Sequence, residues 1–155
     1  MRTGLHPEQA GVPQVRRHRL SPYCGLGSSG LGWCSLYKGD TAGAIAEFQK
    51  AKSLDPQPYS DGLLAYAYAR AGDRARAEQM LRDWDKLAKE RYISPSLRML
   101  LHLGLGENSQ ALDWLEKSYE EQDGYCWNVK VDPIFDPLRT EPRVQAILKK
   151  VGIDQ

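Results

Sequence analysis

Sulfur and histidine are scarce in this chain of 155 residues, which has three cysteines, three methionines and three histidines. The cysteines, Cys24, Cys34 and Cys126, are odd in number and fit no zinc spacing. A reduced compartment with incidental thiols fits that best. His6, His18 and His102 stand far apart, and no His/Cys/carboxylate group has ligand spacing, so no metal and no cofactor is expected. An excess of one charge is missing too. Lys+Arg is 21 against Asp+Glu 20, a formal net charge of +1, so no global field gathers nucleic acid or anionic membrane. No run of about 20 apolar residues exists to span a bilayer. The opening residues, Met1 to Gly4, lead into no apolar stretch of the secretory kind. The expected compartment is the cytoplasm. Alternating apolar segments long enough to argue for a sheet are absent as well.

What is present is a core-forming 41% of hydrophobic residues and a solvating 26% of charged ones, suited to one domain. Residues 1–24 stand apart. Gly4, Pro7, Gly11, Pro13 and Pro22 interrupt a polar stretch that includes Arg16, Arg17, His18 and Arg19. No helical period runs through it, and it is read as a flexible, disordered leader.

Beyond it the pattern repeats. Gly39, Gly72 and Gly106 lie 33 and then 34 residues apart. Each closes an apolar helical run and is followed by an acidic residue and an alanine-bearing second helix. The first copy runs from Gly27 through Leu31, Trp33, Leu36 and Tyr37 to Gly39. Asp40 then caps a helix with Ala44, Ile45, Phe48, Ala51 and Leu54 on one face, ended by Asp55-Pro56. The second copy opens at Pro58, carries Leu63, Leu64, Ala67 and Tyr68 to Gly72, and continues from Asp73 through Ala77, Met80, Leu81, Trp84 and Leu87. The third opens at Ser94-Pro95, carries Leu97, Leu100, Leu101 and Leu103 to Gly106, and continues through Ala111, Leu112, Leu115 and Tyr119 to a stop near Asp123-Gly124. In the tail, over residues 124–155, Asp132-Pro133 and Asp136-Pro137 each pair a capping carboxylate with a proline, predicting a short turn. Thr140 is placed to cap a last helix through Val144, Ile147, Leu148 and Val151, ended by Gly152.

A period near 34 residues built from helix–turn–helix units points to stacked hairpins. The residues at its signature positions resemble the tetratricopeptide repeat: Leu31-Gly32, Gly39, Ala44, Phe48, Ala51 and Pro56 in the first copy; Leu64-Ala65, Tyr68, Gly72, Ala77 and Leu81 in the second; His102, Gly106, Ala111 and Leu115 in the third. Trp84 and Met99 depart from the small residues usual at their positions. The resemblance covers residues 25–123. It implies an all-α fold, a short right-handed stack of antiparallel helical hairpins (a TPR-like α-solenoid) closed by a C-terminal capping helix. The order of residues from Gly104 to Lys117, then Val131-Asp132-Pro133 and Phe135 to Arg139, is similar to the C-terminal repeat region of bacterial multidomain signalling proteins.

The family's fold implies a non-enzymatic module that presents a concave groove to a protein or peptide. Carried over by position, the groove-lining residues are Trp33, Leu36 and Tyr37, then Tyr59, Tyr66 and Arg70, then Leu100 and Leu103, with Ile93 and Ser96 beside them. The family's Lys/Asn set for a terminal carboxylate is not visible there. The similarity to signalling proteins implies an alternative, a detached regulatory fragment of a nucleotide cyclase, a protein kinase or a winged-helix transcription regulator. Another alternative comes from Gly25-Leu26-Gly27-Ser28-Ser29-Gly30, which spells the dinucleotide-binding GxGxxG, although no hydrophobic strand precedes it. No serine, histidine and carboxylate constellation points to catalysis, and the acidic Glu120, Glu121 and Asp123 read as a solvated face. The first hairpin has no polar cap, so its outer face, around Trp33 and Phe48, is expected to be an edge for self-association or for a partner.

Overall fold

Helices make up the whole regular structure of the described residues. The computed structural model describes residues 27–54, 56, 58–123 and 128–152. The leader over residues 1–24 lies outside them. In chain order the helices are α1 (Gly27–Tyr37), α2 (Thr41–Leu54), α3 (Pro58–Arg70), α4 (Arg74–Leu87), α5 (Pro95–Leu105), α6 (Asn108–Glu120) and α7 (Pro142–Val151), with a 3₁₀ turn at Pro133–Phe135 before α7. Among the described residues there is no strand, and no helix is long and apolar enough to cross a membrane.

One turn chemistry joins α1 to α2, α3 to α4 and α5 to α6. Gly39, Gly72 and Gly106 have φ of +82°, +81° and +75°, a left-handed geometry that costs an L side chain about 1–2 kcal/mol. In each turn the glycine N–H donates to the carbonyl three residues back. The next residue's N–H donates to the carbonyl five residues back: Asp40 to Ser35 (2.9 Å), Asp73 to Tyr68 (2.9 Å), Glu107 to His102 (2.9 Å). This is the Schellman arrangement, which satisfies the last helical carbonyls and reverses the chain. The carboxylates of Asp40 and Asp73 then accept from Gly43 N–H (2.8 Å) and Arg76 N–H (3.2 Å), capping α2 and α4. After α6 the same arrangement recurs with Gln122 at φ +55°, one residue before the Asp123-Gly124 stop predicted from sequence.

Two other caps differ from the local reading. Ser94 precedes Pro95 at the start of α5 but makes no cap of its own. Its hydroxyl donates to the Asp123 carboxylate, which also accepts from the Ser96 hydroxyl and from Ser96 N–H (3.0 Å). Asp123 is therefore the cap of α5, supplied from the end of α6, and not part of a solvated acidic face. Thr140 does not cap α7. The helix begins at Pro142 with Glu141 before it, because proline's fixed φ suits the first helical position.

α3 packs most extensively against α5, followed by α1 against α2 and α5 against α6, with α2 also against α3. α3 and α5 are buried all round, over Gly62–Ala69 and Pro95–Leu101 respectively, as expected of central helices. Gly104 permits their close approach, since a Cβ there would lie 2.9 Å from the Tyr66 carbonyl oxygen. Trp33 and Phe48 are 1% and 0% exposed, which corrects the expectation that they form an outer edge. Phe48 lies against Gly32, where a Cβ would be 2.4 Å from its ring. Trp33 meets Phe48 edge-on at 6.1 Å and Tyr66 at 6.2 Å. These rings join α1, α2 and α3 in one apolar cluster. α7 behaves as expected, with Ile147 and Leu148 inward and Lys149 and Lys150 outward. Arg143 ties it to Asp113 (2.7 Å) and Glu116 (2.6 Å) of α6, and that contact holds the Glu116 carboxyl below its ordinary range.

Candidate functional site

The tail between α6 and α7 builds a site that hairpins alone would leave open. Asp132 accepts from Ile134 N–H at 3.1 Å, starting the 3₁₀ turn as a carboxylate before proline should. The same oxygen, Oδ1, accepts from the Tyr37 hydroxyl of α1 at 2.7 Å across 95 residues of sequence. Val129, Ile134, Phe135 and Leu138 join the principal core cluster. Arg139 braces the segment, donating to the Asp132 carbonyl at 3.0 Å and pairing with Asp136 at 2.7 Å. Residues 128–141 thus form a strap, held to α1 at Asp132 and anchored in the core by apolar side chains. Asp132 is wholly buried and its other carboxylate oxygen has no partner. Burial raises its pKa above the ordinary aspartate value, against the opposing hydrogen bonds from Tyr37 and Ile134 N–H.

Between strap and helices lies a cavity of about 530 Å³ lined by Leu36, Tyr37, Gly39, Thr41, Tyr66, Arg70, Pro133, Ile134 and Asp136, within the size range of ligand sites. Leu36 and Tyr37 come from the last turn of α1, Thr41 from the first turn of α2, and Tyr66 and Arg70 from one face of α3. Tyr66 is pushed up to about 12, mainly by burial, with the Asp132 charge adding to the effect and Arg70 opposing it. Its hydroxyl stays protonated at neutral pH, a donor on the cavity wall.

Of the eight residues carried over from the sequence resemblance, Leu36, Tyr37, Tyr66 and Arg70 meet at this cavity. Trp33, Leu100 and Leu103 are 1%, 0% and 6% exposed and belong to the core, so they offer a partner no surface. Tyr59 is half-buried against the same core, and Ser96 serves the α5 cap. Ile93 lines a smaller cavity of about 250 Å³ with Trp84, Tyr92 and Pro58. The sequence pattern marks Pro133 and Asp136 only as parts of Asp-Pro turns and assigns no role to Ile134 or Thr41. Nothing local in the sequence says that the tail returns to α1. Of the glycine motif, Gly27 to Gly30 form the first turn of α1 with Gly30 buried, and Gly25 and Leu26 lie outside the described residues. His102, largely buried, bonds Glu107 at 2.8 Å, and Arg74 bonds the same carboxylate at 2.6 Å. These contacts, the His102 bond foremost, hold Glu107 below its ordinary range. Among the described residues no group of three or more His, Cys, Asp or Glu side chains is arranged to hold a metal ion.

Compared with protein-family models, curated proteins and solved structures, the chain matches none.

Proposed function

We propose that this chain is a non-enzymatic interaction module of the tetratricopeptide-repeat kind, whose partner site is the cavity between α1, α3 and the strap. The observation that carries the reading is the recurrence of one turn. Three Schellman turns with the same hydrogen bonds, 33 and 34 residues apart, separate the helices of three successive pairs. Repeated hairpins of that length make surfaces for holding other chains. The cavity adds what a binding surface needs: aromatic side chains from Tyr37 and Tyr66, an exposed arginine and apolar walls, the residue types that dominate binding energy.

The test is site-specific photocrosslinking in cell extract. Benzoylphenylalanine replaces Arg70 at the cavity or, as control, the exposed Arg82 of α4. A discrete partner band from position 70 and none from position 82 is the expected result. Equal labelling from both positions, or none from either, refutes the assignment.

A further inference from the structure

The cavity's polar groups are unequally committed. Its acidic member, Asp136, is paired with Arg139 at 2.7 Å. Asp132, behind the strap, accepts from Tyr37 and Ile134 N–H through Oδ1 alone, and its Oδ2 is buried without a partner. Two donors, Arg70 and Tyr66, are uncommitted, whereas the Tyr37 hydroxyl is held by Asp132. Arg70 is exposed and has no ion pair or hydrogen bond among the described residues, and Tyr66 is 9% exposed with a hydroxyl that bonds none of them. Thr41 opens α2 at the same wall, where the first backbone N–H groups lack intrahelical acceptors and the helix dipole is positive. Asp40 satisfies only the later Gly43 N–H, with its side chain. A guanidinium, a protonated phenol and a helix start therefore converge on one cavity, with Leu36, Pro133 and Ile134 as its apolar wall. A planar carboxylate accepts from a guanidinium through two oxygens, and the apolar wall suits a neighbouring aliphatic side chain.

We propose that the cavity binds an acidic side chain of a partner peptide, an Asp or Glu next to a bulky apolar residue. This proposal rests on the interaction-module reading. Arg70 supplies the charge-assisted contact, Tyr66 a second donor, and Thr41 the helix end. The strap forms one wall of the site through Pro133, Ile134 and Asp136.

The experiment is fluorescence polarisation of the whole chain with two labelled synthetic peptide pools. Both are randomised around a fixed centre, Leu-Glu in one and Leu-Gln in the other. The wild type is expected to bind the Leu-Glu pool about tenfold more tightly, the range of one charge-assisted hydrogen bond. That preference should shrink at high salt. Arg70→Met, a change at an exposed position, should reduce it to about twofold, and Tyr66→Phe should reduce it in part while keeping the ring in the core. Circular dichroism melts establish that both variants fold. Equal binding of the two pools by the wild type, or a preference that survives Arg70→Met, overturns the acidic-ligand proposal and leaves the module reading standing. Binding of neither pool, together with no crosslink from position 70, overturns both.

Discussion

Gly104→Ala adds one methyl group where α5 lies closest to α3. The new carbon would stand 2.8 Å from the Ala69 Cβ, 2.9 Å from the Tyr66 carbonyl oxygen and 3.2 Å from the Tyr66 Cα. Two of these three neighbours are backbone and cannot rotate aside, so relief requires the two central helices to move apart. Leu100, Leu101 and Tyr66, buried on those helices, would move with them. Overpacking of this kind costs about 1–3 kcal/mol. The opposing term is helix propensity, in which alanine gains at most about 1 kcal/mol over glycine, and less here because α5 ends one residue later at Leu105. The steric term wins, leaving a net loss of about 1–2 kcal/mol. For a chain of this size that is a fall in melting temperature of about 2–8 °C. Thermal and urea unfolding followed by circular dichroism measure it. Ala69→Gly removes the nearest contact. The double variant is therefore expected to be more stable than the two single losses predict, by about 0.5 kcal/mol or more. A Gly104→Ala protein as stable as wild type, or strictly additive losses in the double variant, would refute close α3–α5 packing.

Asp132→Asn keeps an acceptor for Tyr37 and Ile134 N–H but cannot ionise. A carboxyl whose pKa is raised on folding binds its proton more tightly when folded, so the stability it allows declines as pH rises through that window and stays reduced above it. The variant is expected to exceed wild type in urea midpoint at about pH 8, with the gap closing toward about pH 4; a gap that is constant or of opposite sign contradicts the buried-carboxylate account. Glu107 and Glu116, whose pKa values are lowered, lose their contributions as pH falls through those values in both proteins alike, so the difference isolates Asp132. Asp123→Ala removes the cap of α5 and the acceptor shared by Ser94 and Ser96. The expected loss is about 1–2 kcal/mol in chemical denaturation, and an unchanged midpoint would show that the α5 start is satisfied otherwise.

Elements governed by neighbouring residues were legible in the sequence. Gly39, Gly72 and Gly106 announced three turns because left-handed backbone favours glycine, and Asp40 and Asp73 announced caps because their reach is three residues. The burial of Ala44, Ala77 and Ala111 followed from helical spacing. What failed depended on distance along the chain. Asp123 looked solvated because its partners, Ser94 and Ser96, lie 29 and 27 residues away. Trp33 and Phe48 looked like an edge because the Tyr66 ring that meets Trp33 belongs to the next hairpin. Four of the nine residues lining the cavity, Leu36, Tyr37, Tyr66 and Arg70, were singled out by position on α1 and α3. The wall formed by Pro133, Ile134 and Asp136 was not, since an Asp-Pro turn encodes its own local shape but not where it will dock.

In the proposed repeat architecture each unit would ordinarily touch only its neighbours, so such a stack can fray from one end while the rest persists. The Tyr37–Asp132 bond closes a loop 95 residues long, so the earliest described helix and the late strap share one fate. During synthesis α1 must wait several seconds for its clasp at ordinary elongation rates. On heating, the molecule should then lose α1 and the strap together, as a buckled belt opens all at once.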